Sequence, residues 1–380
     1  MRTLIFSDIH GNALALEYLL QVVNRYEHLQ ADHYRCLGDI FGYYYDPVQA
    51  WKRAYSLDPN LRLGNHDLYM RRMVEGRLGV GAAEDELVAQ TIIPQHVRLT
   101  QAIESENGLG AQINHLNSDA SYLPATETVD GLTLTYVHGT PALTRHTDDH
   151  ALEYLYPSSE MSKRDKITHA LKALPKHQKT DRAIGFIGHT HQPMLTKLAP
   201  TNANGDATLR MEFLGGQWTT ESEDHPLEIE RLNTPPGSPL LINGGSVGQP
   251  RLGKSLAHWR IHALHLDTDT RTLRFIALKP PEDVLNQLLD LLYDYRDFTC
   301  YNDTDADATA HIREYYRIKA EHTGSRNGTN YLQLSTATST ELRDRWLWCR
   351  SELIDRLITG YPAQTERLAY EYTDTHFLVK

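Results

Sequence analysis

Cysteine, long apolar runs and excess positive charge are all scarce in this chain. The three cysteines, Cys36, Cys300 and Cys349, are odd in number and lack framework spacing, which excludes a disulfide scaffold and fits free thiols in a reducing compartment; none is placed as a nucleophile. No apolar run reaches the roughly 18 residues of a membrane-spanning helix, and a leader peptide would have to include Asp8, so the expected location is the cytoplasm, without membrane association. Asp and Glu outnumber Lys and Arg 49 to 38, for a net charge of −11. Nonspecific nucleic-acid affinity comes largely from Lys and Arg neutralising phosphates, so no duplex-binding surface is expected. A Gly-rich phosphate loop of the P-loop type is also missing.

What the chain does contain is a series of metal-ligand clusters in its first half: Asp8-Ile9-His10, Gly38-Asp39, Gly64-Asn65-His66-Asp67, His138 and Gly188-His189-Thr190-His191. Each follows an apolar, strand-like run: Leu4 to Phe6, Tyr34 to Leu37, Leu61 to Leu63, Leu134 to Val137 and Ile184 to Ile187. Open α/β sheets bind ligands outside the carboxyl ends of their strands, so these endings are expected to converge on one crevice.

Carboxylate, imidazole and amide oxygen together suit hard or borderline divalent metals, and Cys36, the one nearby thiol, lies inside an apolar strand. Two metals roughly 3.5–4 Å apart need a shared ligand, which a carboxylate can be and a neutral imidazole cannot. Asp39 is the natural bridge, and His66, beside a ligand and followed by Asp67, is placed to act as proton donor. A lone Asp-x-His or Gly-Asp is a common chance match; the ordered set carries the reading. His138 is picked out only by its strand context and the following Gly139-Thr140-Pro141. His28, His33, His96 and His115 read as surface or structural residues, and His146-Thr147-Asp148-Asp149-His150 as a solvated loop rather than a third metal cluster.

The ordered set resembles the calcineurin-like metallophosphoesterase superfamily, whose pattern is Asp-x-His, Gly-Asp, Gly-Asn-His-Asp/Glu, a lone His and Gly-His-x-His. The resemblance implies one metal held by Asp8, His10, Asp39 and His191 and a second held by Asp39, Asn65, His138 and His189. It implies a metal-bridging hydroxide as nucleophile, with His66, oriented by Asp67, protonating the leaving oxygen. It also implies two divalent ions, Mn²⁺ first, with Fe²⁺, Ni²⁺, Zn²⁺ or Mg²⁺ as alternatives. The stretches Ser7 to Asn12, Gly38 to Pro47, Val137 to Pro141, Glu153 to Pro157 and Ile242 to Arg251 look like a small prokaryotic phosphodiesterase branch. That branch has Asn-Pro-Gly-Ser more often than the Asn243-Gly244-Gly245-Ser246 found here, and Tyr-Gly-Pro more often than Tyr43-Tyr44-Tyr45; both departures are expected to bear on the substrate pocket rather than the metals. Candidate substrate contacts are Asn12 and Tyr43 in those stretches, Arg71 and Arg72 just past Gly64-Asn65-His66-Asp67, and Arg251.

The expected fold is an α/β class, four-layer α/β/β/α sandwich. A βα unit opens it, with helical spacing from Ala13 to Gln30, and two helical patterns in 84–118 sit in a cap insertion at about 68–130. Six β-like runs between Met194 and Leu278 read as the second sheet of the sandwich. The catalytic domain is expected to span 1–279 and a mainly helical extension 280–380, with helices over Glu282 to Tyr295 and Thr338 to Ile358 and rings such as Tyr315, Trp346 and Trp348 filling a helical core. The leading function is a metal-dependent phosphodiesterase acting on a small or singly bound phosphate ester, including a nucleotide or nucleic-acid end. Alternatives are a phosphomonoesterase, a serine/threonine-type protein phosphatase, or a non-enzymatic scaffold using the C-terminal helices. The protein phosphatase reading is lowered by Gly42-Tyr43-Tyr44-Tyr45 where those families carry Asp-Arg-Gly.

Overall fold

Strand β1 (Arg2–Phe6) shows how the layers arise: Leu4 and Phe6 point to one apolar cluster and Ile5 to another, as strand alternation requires. The computed structural model describes residues 1–44, 46–75, 86–143, 155, 161–175, 182–199, 208–213, 227–231, 239–248, 260–281, 283–284 and 287, then only 313, 317, 333, 336, 341 and 377–378. Helix α1 (Ala13–Arg25) follows β1 and buries Leu16, Leu19, Leu20 and Val23 along one face. Next come β2 (His33–Cys36), α2 (Pro47–Leu57) and α3 (Asn65–Val74). The helices α4 (Glu86–Ser105), α5 (Leu109–Ile113) and α6 (Asp119–Tyr122) lead to β3 (Ala125–Val129) and β4 (Leu132–Tyr136). Then follow α7 (Met161–Ala173), β5 (Arg182–Ile187), β6 (Met194–Ala199), β7 (Thr208–Phe213) and β8 (Leu227–Arg231). The last strands are β9 (Leu240–Asn243), β10 (Ile261–Asp267), β11 (Thr272–Leu278) and β12 (Phe377–Leu378).

Two sheets form, ordered β2-β1-β10-β11-β8 and β12-β7-β6-β9-β5-β4-β3. Ile5, Leu264 and Phe275 from the first meet Leu134, Phe186 and Ile242 from the second, which is the inner layer of a sandwich. Outside the first sheet, Leu4 and Phe6 pack with α1; outside the second, Ala183, Ile187 and Leu241 pack with Ile167 and Leu171 of α7. The result is the expected α/β/β/α order. Each fully buried Leu, Ile or Phe in these layers contributes about 1.5–3 kcal/mol relative to exposure.

Two expectations change. The β-like runs after His191 do not make a second sheet of their own. Strand β10 pairs antiparallel with β1, and β11 and β8 extend that first sheet, whereas β9 is inserted between β5 and β6 in the other. Periodicity reports that a segment is a strand and is silent on its neighbour. Leu61 to Leu63 is also not a strand. The Arg62 amide does donate to the Cys36 carbonyl, but the Cys36 amide donates to the Asp58 carboxylate and the Leu63 amide to Ser121, so no ladder propagates.

Among the described residues no helix is long and apolar enough to cross a membrane. Cys36 is buried and free, and burial pushes its thiol well up. The His146-to-His150 cluster, Tyr45, Arg251, Cys300, Cys349, the helix expected over Thr338 to Ile358 apart from Glu341, and all but 283–284 and 287 of the helix expected over Glu282 to Tyr295 lie outside the described residues; so do the aromatic rings named in the extension.

Candidate metal centre

Two parallel strand pairs, one per sheet, deliver the ligands. Strands β1 and β2 run parallel, as do β4 and β5, so their carboxyl ends lie together. Beyond the ladders the loops stay tied: the Asp8 amide donates to Gly38 (2.9 Å) and the His10 amide to Asp39 (2.9 Å), and in the other sheet the Gly188 amide donates to His138 (2.8 Å). Asp8 and His10 thus follow β1, Asp39 follows β2, His138 follows β4, and His189 and His191 follow β5.

Ligand atoms of Asp8, His10, Asp39 and His191 gather in one buried group, and those of Asp39, His138 and His189 in a second. Asp39 belongs to both. Its Oδ2 is 3.2 Å from His138 Nε2 on one side and 4.0 Å from His10 Nε2 on the other, while its Oδ1 accepts the His66 amide at 2.9 Å. His10 Nε2 and His191 Nε2 are 3.0 Å apart, and Asp8 Oδ1 is 3.2 Å from His191 Nε2. His138 Nε2 lies 3.2 Å from Nδ1 of His189. Asn65 Oδ1 is buried with no hydrogen-bond partner among the described residues.

The tautomers follow from the carbonyls behind the rings. His10 Nδ1 is 2.9 Å from the Phe41 carbonyl and His138 Nδ1 2.9 Å from that of Leu37, so each Nδ1 carries the proton and each Nε2 lone pair faces inward. Burial alone would raise the Asp39 carboxyl, but the His138, His66 and His10 imidazoles outweigh it and hold it well below the usual carboxylate range. Burial alone would lower the His138 imidazole, but the Asp39 carboxylate pushes it up to about 9. Without metal, a proton on His138 partly supplies the positive charge this pocket favours, and a metal would displace it. Inward lone pairs, buried carboxylates and the unsatisfied Asn65 oxygen are a donor set that fits two borderline divalent cations.

The backbone is strained at these positions. Asp8, His10, Asp39, His189 and His191 all have φ between 53° and 69°, in the left-handed region. At about 1–2 kcal/mol each, the five cost roughly 5–10 kcal/mol, as much as a few buried core side chains contribute. Strain of this kind persists where surrounding structure over-determines it, as at ligand clamps. Gly64 lets the turn before α3 pass close to the ligands: a Cβ there would collide with Asp39 Oδ1 and come within 2.7 Å of His138 Nε2.

Asp67 has a different job from orienting the His66 ring. One of its oxygens accepts the amides of Asp39 (2.8 Å) and Gly64 (2.8 Å), the other those of Ile40 (2.8 Å) and Phe41 (3.3 Å). It sits in the first turn of α3 and pins the loop that carries Asp39. Burial, followed by the neighbouring Asp39 charge, raises its carboxyl to about 7 against the lowering effect of those amides. The His66 ring lies 4.6 Å from that of His10 and 5.0 Å from that of Tyr43.

The candidate substrate contacts are placed differently. Asn12 caps α1, accepting the Ala15 amide (3.0 Å) and donating to the Gly248 carbonyl (3.2 Å), so its side chain serves the scaffold. Tyr43 is 4% exposed and stands edge-on to His10, 4.7 Å between ring centres. Arg71 pairs with Glu75 (2.9 Å) and Asp119 (2.6 Å), and Arg72 is buried. Within Asn243-Gly244-Gly245-Ser246, the two end residues support the loops that carry the metal ligands. Asn243 donates to Gly188 (2.5 Å) and Thr190 (2.9 Å), and Ser246 donates to the Asp8 carbonyl (2.8 Å). Such supports leave no signal in the sequence, because a polar residue after a strand has no ligand signature of its own. Gln95 of α4 is equally silent in the sequence; it is fully buried and bonded to the loop at Gly42 and Tyr44.

Residues 1–269 match the family model of the calcineurin-like phosphoesterase superfamily domain. Among solved structures the chain is similar to a metallophosphoesterase from Sphaerobacter thermophilus, with 21% identity, 87% of this chain and 98% of that one covered, and a TM-score of 0.45. It is also similar to a hypothetical protein from Pyrococcus horikoshii OT3, with 12% identity, coverage of 78% and 95%, and a TM-score of 0.47. No curated protein matches the chain.

Proposed function

The chain belongs to the calcineurin-like phosphoesterase superfamily, whose members are dinuclear, metal-dependent hydrolases of phosphate esters, and on that premise we propose that it is a phosphodiesterase. The observation that carries this reading is the position of Asp39, whose Oδ2 stands between two groups of imidazole and carboxylate ligands. Asp8, His10, Asp39 and His191 would hold one ion, and Asp39, Asn65, His138 and His189 the other. When bound, the two ions supply a water of lowered pKa and neutralise charge on the phosphoryl oxygens. His66 holds the proton destined for the leaving oxygen. Its place is set by its amide, bonded to Asp39 Oδ1, and by the first turn of α3, whose amide ends face the centre and favour an anion there.

A diester is favoured over a monoester by the charge on the rim. A phosphomonoester dianion calls for more cationic help than a diester monoanion, and Arg71, a candidate for a phosphate clamp, is committed to Glu75 and Asp119. The substrate class is a small or singly bound phosphate ester such as a nucleotide or nucleic-acid end, Mn²⁺ is the first candidate metal, and residues 1–279 form the catalytic domain. The test is hydrolysis of bis-p-nitrophenyl phosphate beside p-nitrophenyl phosphate by EDTA-stripped protein reloaded separately with Mn²⁺, Mg²⁺, Ni²⁺ and Zn²⁺. Metal-restored cleavage of the diester with little on the monoester is expected; a preference for the monoester overturns the diester reading, and inactivity with every metal overturns the enzyme.

A further inference from the structure

We propose that Gln95 is a positioning residue, through which helix α4 sets the place of the His66 ring. Its carboxamide is wholly buried, and one end of it meets the loop after Asp39 twice. Oε1 accepts the Gly42 amide at 2.7 Å, and Nε2 donates to the Tyr44 carbonyl. Those partners fix which way the amide points, since an N–H needs an oxygen and a carbonyl needs an N–H.

Between the two contacts the chain is wound tightly. Gly42 has φ 101° and Tyr43 φ 56°, the second a left-handed conformation that costs a non-glycine residue about 1–2 kcal/mol. That winding puts the Tyr43 ring beside both His10 and His66. Gly42 itself lies so close to His66 that a Cβ there would strike Nδ1 of the ring and come within 3.2 Å of His10 Nδ1. A loop relaxed at 42–44 would therefore shift the surface on which His66 rests. Asp39 is held by Asp67 and the His10 ring by the Phe41 carbonyl, while the His10 carbonyl accepts the Tyr44 amide at 2.9 Å, a bond this ligand shares with the clamped segment. Loss of the clamp should thus move the proton donor more than the metal ligands, whose side chains keep their own partners.

Only a group with a donor and an acceptor at one end can serve both contacts. Leucine has neither, and glutamate keeps the acceptor but sets a carboxylate against the Tyr44 carbonyl. This role presupposes the phosphoesterase reading, so the test carries one arm that does not depend on activity. The full chain is prepared as wild type, Gln95→Leu and Gln95→Glu. Bound Mn²⁺, kcat and KM on bis-p-nitrophenyl phosphate, and hydrogen exchange of the 38–46 amides in metal-free protein are measured.

Misplacement of a catalytic group by an ångström costs up to about 10²-fold, so kcat should fall about 10- to 10²-fold in both variants, with KM and bound Mn²⁺ close to wild type. Exchange at Gly42 should quicken in Gln95→Leu and stay slow in Gln95→Glu, which keeps the acceptor. Unchanged kcat in both variants, or a fall that only tracks lost Mn²⁺, overturns the proposal; if Gln95→Leu fails to fold, Gln95→Glu decides it on the same kinetic criteria. If wild-type protein shows no turnover with Mn²⁺, the phosphoesterase reading fails instead. The clamp is then judged on exchange alone: faster exchange at Gly42 in Gln95→Leu supports it, and unchanged exchange overturns it.

Discussion

Asp8, His10, Asp39, His138, His189 and His191 are each at most 2% exposed and face one another, whereas the Arg71 side chain is 17% exposed and turns its charge to Glu75 and Asp119. Centre and rim lie on neighbouring elements, joined by α3, yet they obey different physics. At the centre, ligand chemistry dictates residue type, and the carbonyls of Phe41 and Leu37 hold two of the rings in a single tautomer. On the rim an arginine can serve a phosphate, a carboxylate or a helix end equally well, so its job depends on which neighbour is near. The centre should therefore be intolerant of substitution, and the rim forgiving.

Four substitutions break or sharpen that contrast. Asp39→Ala removes the oxygen shared by both ligand groups and should abolish metal binding at both sites. A site that supplies several kcal/mol of charge stabilisation then loses about 10³-fold or more in turnover. Metal analysis beside the rate measurement checks it, and a variant that keeps both ions refutes the bridge. His66→Ala should lower kcat by about 10²–10⁴-fold, the size of a general-acid contribution, with metal content intact. Equal rates in mutant and wild type would remove His66 from the mechanism.

Asp67→Asn probes the support of the centre rather than its ligands. The amide keeps one acceptor for the Asp39 loop but presents an NH₂ to backbone amides that need an oxygen. Metal affinity or activity should fall about 10–100-fold, the usual cost of losing an outer partner, and a metal titration reads it. An unaffected titration would mean that the loop holds itself. Arg71→Ala should change least: an exposed ion pair contributes about 0–1 kcal/mol, so KM for the diester should remain within a few-fold of wild type. A tenfold rise would move Arg71 from scaffold to substrate contact and bring the rim closer in character to the centre.

How much of this was legible beforehand varies with the kind of signal. Alternation and apolar runs located β1, β4 and β5, and 3.6-residue spacing located α1. Helix α2, absent from the expectations, carries a start signal in Asp46-Pro47, with the Asp46 side chain accepting the Gln49 amide and Pro47 in the first turn. Leu61 to Leu63 reads as a strand because its residues are apolar, but the partners that divert the surrounding amides pair across the chain: Asp58, close in sequence, takes the distant Cys36 amide, and the Leu63 amide goes to Ser121, far outside any local window. The partition of β6 to β11 between two sheets was beyond reach for the same reason, since hydrogen-bond partners are chosen by the whole chain.

The residue types alone determined the chemistry: ordered carboxylate, imidazole and amide groups after apolar runs, with cysteine missing from all of them, suit two divalent ions and little else. Tertiary structure decided the duties of the neighbours. Asp67 serves the loop of Asp39, Asn12 caps a helix, Asn243 and Ser246 hold the ligand loops, and Gln95 reaches them from α4. A metal ligand is recognisable in isolation because its donor atom must match the ion. A hydrogen-bonding side chain is not, because any amide or carbonyl satisfies it and only the fold chooses which one is near.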